Sequence, residues 1–169
     1  MFNGVVKMNL ANAALPAATQ QQLVTELAAL VLDVMAPEEL PLLPETAQEY
    51  FAEPDAVLDP ARHDEALGFG LSVELLSPYV LAVVAPAVQF LLSTLAGAVK
   101  QEARPRLEAL VRRVFRSRGQ KHPDAIALTR DQARHVREIT IDRARAVGMG
   151  ESRAALLADA VVGSLVVSG

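Results

Sequence analysis

The sequence contains an uncharged stretch of 25 residues at positions 75–99, built mainly from alanine, valine and leucine. A helix that rises 1.5 Å per residue crosses a bilayer with about 20 residues. The buried central helix of a water-soluble bundle has the same composition. We therefore predict one long helix in this stretch, surrounded either by lipid or by other helices of the chain.

Three residues weigh against a simple membrane span. Pro86 lies inside the stretch, and because proline has no N–H it leaves the carbonyl oxygen four residues earlier without its helical donor. Neighbouring helices commonly satisfy such a carbonyl in a membrane. Gln89 and Glu74 are polar groups on the same path. Both environments of the helix stay open at this point.

Charge is distributed unevenly along the chain. Residues 1–74 hold twelve acidic and two basic side chains, a net charge of -10. Residues 100–121 hold eight basic and two acidic side chains, a net charge of +6, and residues 122–169 balance. A basic block after a long uncharged stretch is typical of a cytoplasmic membrane flank, or of a surface attracted to anionic lipid or nucleic acid. A solvated helix face has the same pattern.

Apolar spacing predicts a first helix at residues 16–35, with Thr19 as its N-cap. Its apolar side chains recur at the spacing of one helix face, and these residues are Leu23, Leu27, Leu30 and Val34. The three prolines of residues 36–45 predict an extended connector, because proline removes a backbone donor and blocks helix continuation. A short helix follows near residues 45–52.

Helix signals are clearer in the C-terminal half. Residues 105–116 place an apolar face among arginines, which predicts a short amphipathic helix. Thr129 and Gln132 match a capping box, in which each side chain accepts a hydrogen bond from the other residue's backbone N–H. The helix that they open ends at the glycines of residues 148–150, and a last helix begins at residue 151. These two helices predict a C-terminal hairpin.

We therefore predict an all-α fold, a bundle of four to six helices around residues 75–99. Patterns of period two at residues 2–10 and 67–73 add a minor two-stranded hairpin to this fold. The length of 169 residues fits a single domain. Its parts are an acidic N-terminal part (1–74), the hydrophobic central segment (75–99), a basic amphipathic helix (100–121) and a C-terminal helical hairpin (126–169).

No catalytic, metal or cofactor motif is present in the sequence. The chain has no cysteine, which excludes disulfides, thiolate metal sites and a cysteine nucleophile. His63, His122 and His135 fall in different predicted segments and lack metal-ligand spacing. Gly68 and Gly70 lack the third glycine of a dinucleotide site. We expect a non-enzymatic protein with no metal and no cofactor.

The last two predicted helices have the outline of a DNA-binding helix-turn-helix. A recognition helix needs polar and basic side chains that reach base edges. The second helix offers Arg153 followed by an apolar run. We therefore do not expect nucleic acid as a partner.

The first function hypothesis is a membrane-associated helical protein that acts through protein–protein contacts. No secretory signal is visible, which predicts a cytoplasmic location, here at the inner face of a membrane. The basic helix would be attracted to anionic headgroups. The residues expected to contact a membrane or a partner are Leu81, Val84, Phe90, Leu91, Leu95, Arg106, Arg112, Arg113 and Arg116.

Two alternatives stay open. The chain is a fully soluble adaptor or oligomerisation module if the stripe of the first helix, or the segment at residues 156–167, meets a partner or a second copy. Self-association is expected through Leu23, Leu27, Leu30 and Val34. The third hypothesis is a small-ligand binder, for which Tyr79 and Gln89 are the polar groups of the central segment.

Overall fold

The computed structural model describes residues 15–58, 75–98, 107–116 and 126–168. These residues form α1 (Ala17–Met35), a 3-10 helix (Pro37–Leu42), α2 (Leu43–Ala52), α3 (Pro54–Val57), α4 (Ser77–Ala98), α5 (Leu107–Val114), α6 (Arg130–Ala146) and α7 (Glu151–Gly163). The helices pack against one another, and the predicted all-α bundle is confirmed. The strand candidates at residues 2–10 and 67–73 lie outside the described residues.

The helix of the uncharged stretch, α4, lies at the centre of the bundle. It packs against α1, α2, α5 and α6. Its apolar side chains with no exposed surface are Val80, Leu81, Ala82, Val83, Val84, Ala87 and Leu91. Each fully buried valine or leucine contributes about 1.5–3 kcal/mol of hydrophobic free energy. Burial explains the absence of charge at these positions.

The N-terminus of α4 is capped by a carboxylate from the 3-10 helix. Glu39 accepts hydrogen bonds from the backbone N–H of Leu76 at 2.8 Å and of Ser77 at 2.7 Å. The Ser77 hydroxyl also donates to Glu39. The first N–H groups of a helix have no intrahelical acceptor, and a negative charge is favoured beside them. This explains how an acidic residue that is only 8% exposed fits in the core.

The carbonyl that Pro86 frees is satisfied by another helix. The residue four positions before Pro86 is Ala82, and Arg143 of α6 donates from Nε to the Ala82 carbonyl at 3.4 Å. Arg143 also lies beside Tyr50 of α2. Burial raises the pKa of Tyr50 above its ordinary value, and the Arg143 guanidinium opposes that rise. One arginine thus joins α2, α4 and α6.

Two local predictions are wrong. The first helix begins at Ala17, with Pro16 in the N-cap position and no side-chain cap, so Thr19 lies inside the first turn. The stretch predicted as an extended connector is the 3-10 helix followed by α2. Pro37 and Pro44 stand in the first turns of these helices, where the missing N–H removes no hydrogen bond. The third proline, Pro41, lies inside the 3-10 helix.

The C-terminal part of the chain contains α6 and α7, and α6 begins with a side-chain cap. Thr129 Oγ1 accepts from the Gln132 N–H at 3.1 Å, and Gln132 Oε1 accepts from the Thr129 N–H at 2.9 Å, which completes the capping box. Helices α6 and α7 pack closely along each other. Gly148 makes the turn between them with a φ of 90°, a left-handed conformation that favours glycine.

The segment after α7 lies between the segment after α5 and the segment before α6. Isolated bridges join Phe115 to Leu165 in antiparallel sense and Leu128 to Val167 in parallel sense. The backbone contacts bring the C-terminal ends of α5 and α7 together. These contacts therefore fix the backbone at the C-terminal end of α5, where Arg112, Arg113 and Arg116 lie.

Candidate interaction surface

The apolar stripe of α1 changes from core to surface along the helix. Leu23 and Leu27 have no exposed surface, and Leu30 is half-buried. Val34, at the C-terminal end of the same stripe, is 66% exposed. Only Leu30 and Val34 of the predicted self-association stripe are thus accessible for contact with another molecule.

The exposed end of this stripe lines a depression between α1 and α7. Val34 and Met35 form one wall, and Leu156, Asp159, Ala160 and Gly163 form the other. The depression encloses about 530 Å³. Leu156 is 62% exposed, so two of the three large apolar side chains that are exposed in the described residues face this one depression. The third, Leu42, lies elsewhere.

A second depression of about 510 Å³ lies between α1 and α5. Its lining residues are Glu26, Ala29, Leu30, Arg112, Arg113, Phe115 and Arg116. Leu30 lines this depression and Val34 lines the other, and side chains four residues apart are neighbours on a helix. The two depressions are therefore adjacent along α1, and we call them together the α1 groove.

One wall of the α1 groove is held by an ion pair between α1 and α5. Arg112 donates to Glu26 from Nε and from Nη2, each at 2.9 Å, and it also donates to Glu108 one turn earlier. The hydrogen bond to Glu26 raises the pKa of Arg112 above its ordinary value. A two-pronged contact of this kind fixes orientation as well as charge. Arg112 thus serves to hold α5 against α1.

Two further arginines form the rim of the groove. Arg113 and Arg116 are exposed, and within the described residues neither guanidinium is paired with a carboxylate. Their backbone is anchored: the Arg113 carbonyl accepts from the Ile126 N–H at 3.2 Å, and the Arg116 N–H donates to the Ser164 carbonyl at 2.8 Å. The rim thus presents two accessible positive charges from a fixed backbone.

The residues predicted to contact a membrane or partner do not form one surface. Leu81, Val84 and Leu91 have no exposed surface. Phe90 and Leu95 are partly buried against the core, and the ring of Phe90 lies 4.7 Å from that of His135. Arg106 lies outside the described residues. Of the predicted arginines, Arg113 and Arg116 are the two that remain both exposed and unpaired in the described structure.

The central helix keeps the length and hydropathy of a membrane span. Residues Ser77–Ala96 have a mean hydropathy of 1.9, and half of them (50%) are buried inside the bundle. Both a membrane helix and the core helix of a soluble protein have these properties. The length and hydropathy of α4 are therefore compatible with both a membrane and a protein core.

The polar groups of the central segment do not converge on one cavity. Gln89 is exposed. Tyr79 is half-buried and lines a small cavity of about 90 Å³ together with Gly148 and Arg153. Within residues 15–58, 75–98, 107–116 and 126–168, no cluster of three histidine, aspartate or glutamate side chains could hold a metal ion.

Of the groove residues, those on α7 are the least predictable from the sequence. Leu156 belongs to the predicted contact segment at residues 156–167, yet Leu157, Val161 and Leu165 of that segment are buried. Leu156 points away from this buried face. An apolar residue on the wrong face of an amphipathic helix is the available sequence signal for such a surface.

Comparison with known proteins identifies no family for this chain. No protein-family model, no curated protein and no solved structure matches the chain. The function is therefore inferred from the chemistry of the α1 groove.

Proposed function

We propose that this protein is a non-enzymatic helical docking module that binds a protein segment in the α1 groove. The observation that carries the proposal is the joint exposure of Val34 (66%) and Leu156 (62%) on the two walls of one depression. Single exposed apolar residues are common on protein surfaces, whereas facing pairs over a groove are typical of contact sites. A short apolar segment of a partner fits such a groove.

The polar groups of the groove support binding rather than catalysis. The lining contains no serine, histidine or tyrosine among the residues described. Its two carboxylates are engaged, Glu26 by Arg112 and Asp159 by Arg137 at 2.9 Å. Both carboxylates thus take part in ion pairs between neighbouring helices.

A labelled peptide tests the docking function directly. The probe is a neutral amphipathic peptide of about 14 residues, four helical turns, with leucines on one face and serine and glutamine elsewhere. We expect saturable binding by fluorescence anisotropy. Val34→Glu and Leu156→Glu should each weaken the binding roughly tenfold or more, because a carboxylate in an apolar groove loses hydration.

A matched variant controls for the added charge. Gln89→Glu introduces a carboxylate at an exposed position of α4 that does not line the groove, and it should bind the peptide like the unaltered protein. Circular dichroism establishes that each variant is folded. The docking function is wrong if the unaltered protein does not bind the peptide, or if all three variants bind it equally.

A second candidate function is attachment to a membrane, and the hydropathy of residues Ser77–Ala96 favours it. Insertion of α4 would require its core contacts with α1 and α6 to open. Attachment through the basic rim requires no such change, because Arg113 and Arg116 are already exposed.

Vesicle flotation separates these two modes of attachment. Insertion predicts flotation with neutral as well as anionic vesicles. Attachment through the rim predicts flotation with anionic vesicles alone, lost in Arg113→Glu/Arg116→Glu and kept in the control Arg130→Glu/Arg134→Glu. A folded protein that stays at the bottom of the gradient with both vesicle types contradicts membrane attachment.

A further inference from the structure

We infer that the α1 groove takes a second copy of this chain, whose acidic ridge around Leu42 inserts into it. This inference rests on the proposed docking function and names its partner. The acidic ridge consists of the exposed residues Pro41, Leu42, Pro44, Glu45 and Glu49. It lies on the 3-10 helix and on α2, and so on different helices from the walls of the groove.

The acidic ridge exposes apolar side chains of the kind that an apolar groove binds. Leu42 is 44% exposed, and Pro41 and Pro44 beside it are exposed as well. These three side chains form an apolar knob whose backbone is held in helices, so little conformational entropy is lost when it binds. A contact between the knob and the groove would cover Val34, Leu42 and Leu156, the three large apolar residues exposed in the described structure.

The charges of the two surfaces are complementary. Glu45 and Glu49 follow Leu42 by three and seven residues, which places them on the same face of α2. No lysine or arginine in the described residues forms an ion pair with either of them. The groove offers Arg113 and Arg116 on its rim. The same relation holds along the sequence, since residues 1–74 carry a net charge of -10 and residues 100–121 carry +6.

The remaining charges of the groove do not favour a different partner. Glu26 and Glu108 are both bonded to Arg112, and Asp159 is bonded to Arg137. In the depression between α1 and α5 the accessible charge is therefore positive, and a basic partner would meet like charge there. A groove-to-ridge contact joins two different surfaces, so the copies form a dimer if a two-fold axis pairs both contacts, and a ring or chain otherwise.

Light scattering after size exclusion, with sedimentation over a range from micromolar to near-millimolar protein, tests the inference. We expect masses that rise with concentration above the 18.1 kDa of one chain. Leu42→Glu and Val34→Glu should each shift the assembly to monomer. Two charge reversals, Arg113→Glu/Arg116→Glu in the groove and Glu45→Arg/Glu49→Arg on the ridge, should each raise the dissociation constant roughly tenfold or more.

The decisive sample is an equimolar mixture of the two charge-reversed proteins. Each protein alone brings like charges together, whereas in the mixture every groove meets a ridge of opposite charge, so assembly should return. The control Arg130→Glu/Arg134→Glu has the same change in net charge outside the groove and should assemble like the unaltered protein. Rescue by the partner variant is an effect that misfolding does not produce.

The outcomes separate this inference from the docking function. A protein that is monomeric at all concentrations but binds the neutral peptide refutes the second copy as occupant and leaves the docking function standing. A protein that neither assembles nor binds the peptide refutes both. Assembly that persists in both charge reversals, or a mixture that stays monomeric, refutes the pairing of groove and ridge.

Discussion

Arg143 donates a hydrogen bond to the carbonyl of Ala82, which is the carbonyl that Pro86 leaves without its helical donor. A proline inside a helix destabilises it partly because this carbonyl loses its partner. Here the partner comes from α6, and the interaction joins the central helix to the C-terminal hairpin. A buried carbonyl with no donor would cost more than the hydrogen bond itself contributes.

Arg143→Met should lower the free energy of unfolding by about 1–3 kcal/mol, because it removes the donor to a buried carbonyl. In a Pro86→Ala background the alanine N–H can donate to Ala82, so the same Arg143→Met change should cost less. Urea unfolding of the four proteins gives the coupling energy. A coupling near zero would contradict the assigned role of Arg143.

Among the acidic residues at positions 15–58, Glu39 should contribute most to stability. It accepts hydrogen bonds from Leu76 and Ser77 at the start of α4. Glu39→Ala should cost about 1–3 kcal/mol in the free energy of unfolding, because it leaves buried N–H groups without acceptors. The neighbouring Glu38→Ala is the control: Glu38 is exposed, and its loss should change stability by less than about 0.5 kcal/mol. Equal effects of the two changes would refute the cap.

Tyr50 should make stability depend on alkaline pH. Burial raises its pKa in the folded protein above the ordinary value of 10.0. The neutral phenol is thus favoured in the fold, so this contribution is complete below pH 10.0 and is lost as the pH rises through the folded-state pKa. The unaltered protein should therefore lose more stability at alkaline pH than Tyr50→Phe does.

The same experiment has an internal control. The chain has two tyrosines, and the other one is Tyr79. In Tyr79→Phe the ultraviolet titration reports Tyr50 alone, and its midpoint should lie above 10.0. A midpoint below that value, or equal alkaline losses in Tyr50→Phe and the unaltered protein, would show that burial of Tyr50 does not govern the effect.

The ion pair between Arg112 and Glu26 should contribute to stability in a salt-dependent manner. Both side chains are more than a third exposed, at 36% and 37%, so water screens their attraction. Glu26→Gln should cost about 0.2–1 kcal/mol. Arg112→Lys should cost a similar amount, because lysine cannot reproduce the two parallel donors. Unfolding in low and high salt should show the cost shrinking with salt. A larger cost at high salt would contradict this description.

The helices of this protein could largely be predicted from local patterns. Thr129 and Gln132 predict the start of α6, and the uncharged residues 75–99 predict the central helix. Both predictions succeed because capping and periodicity act between residues a few positions apart. The errors at Thr19 and in the proline-rich stretch arose where the same residue type allows two local structures. Proline removes a hydrogen bond from the interior of a helix but fits the first turn without loss.

Local sequence patterns are enough to predict the helical class, the central place of the uncharged stretch and the separation of acidic and basic charge. Which part of an apolar stripe is core and which is surface depends on the tertiary packing. Leu27 and Val34 are both apolar, but Leu27 has no exposed surface and Val34 is 66% exposed. The tertiary packing also decided that Arg112 is paired while Arg113 is accessible. Burial and pairing depend on contacts between residues far apart in the chain, and local periodicity contains no information about those partners.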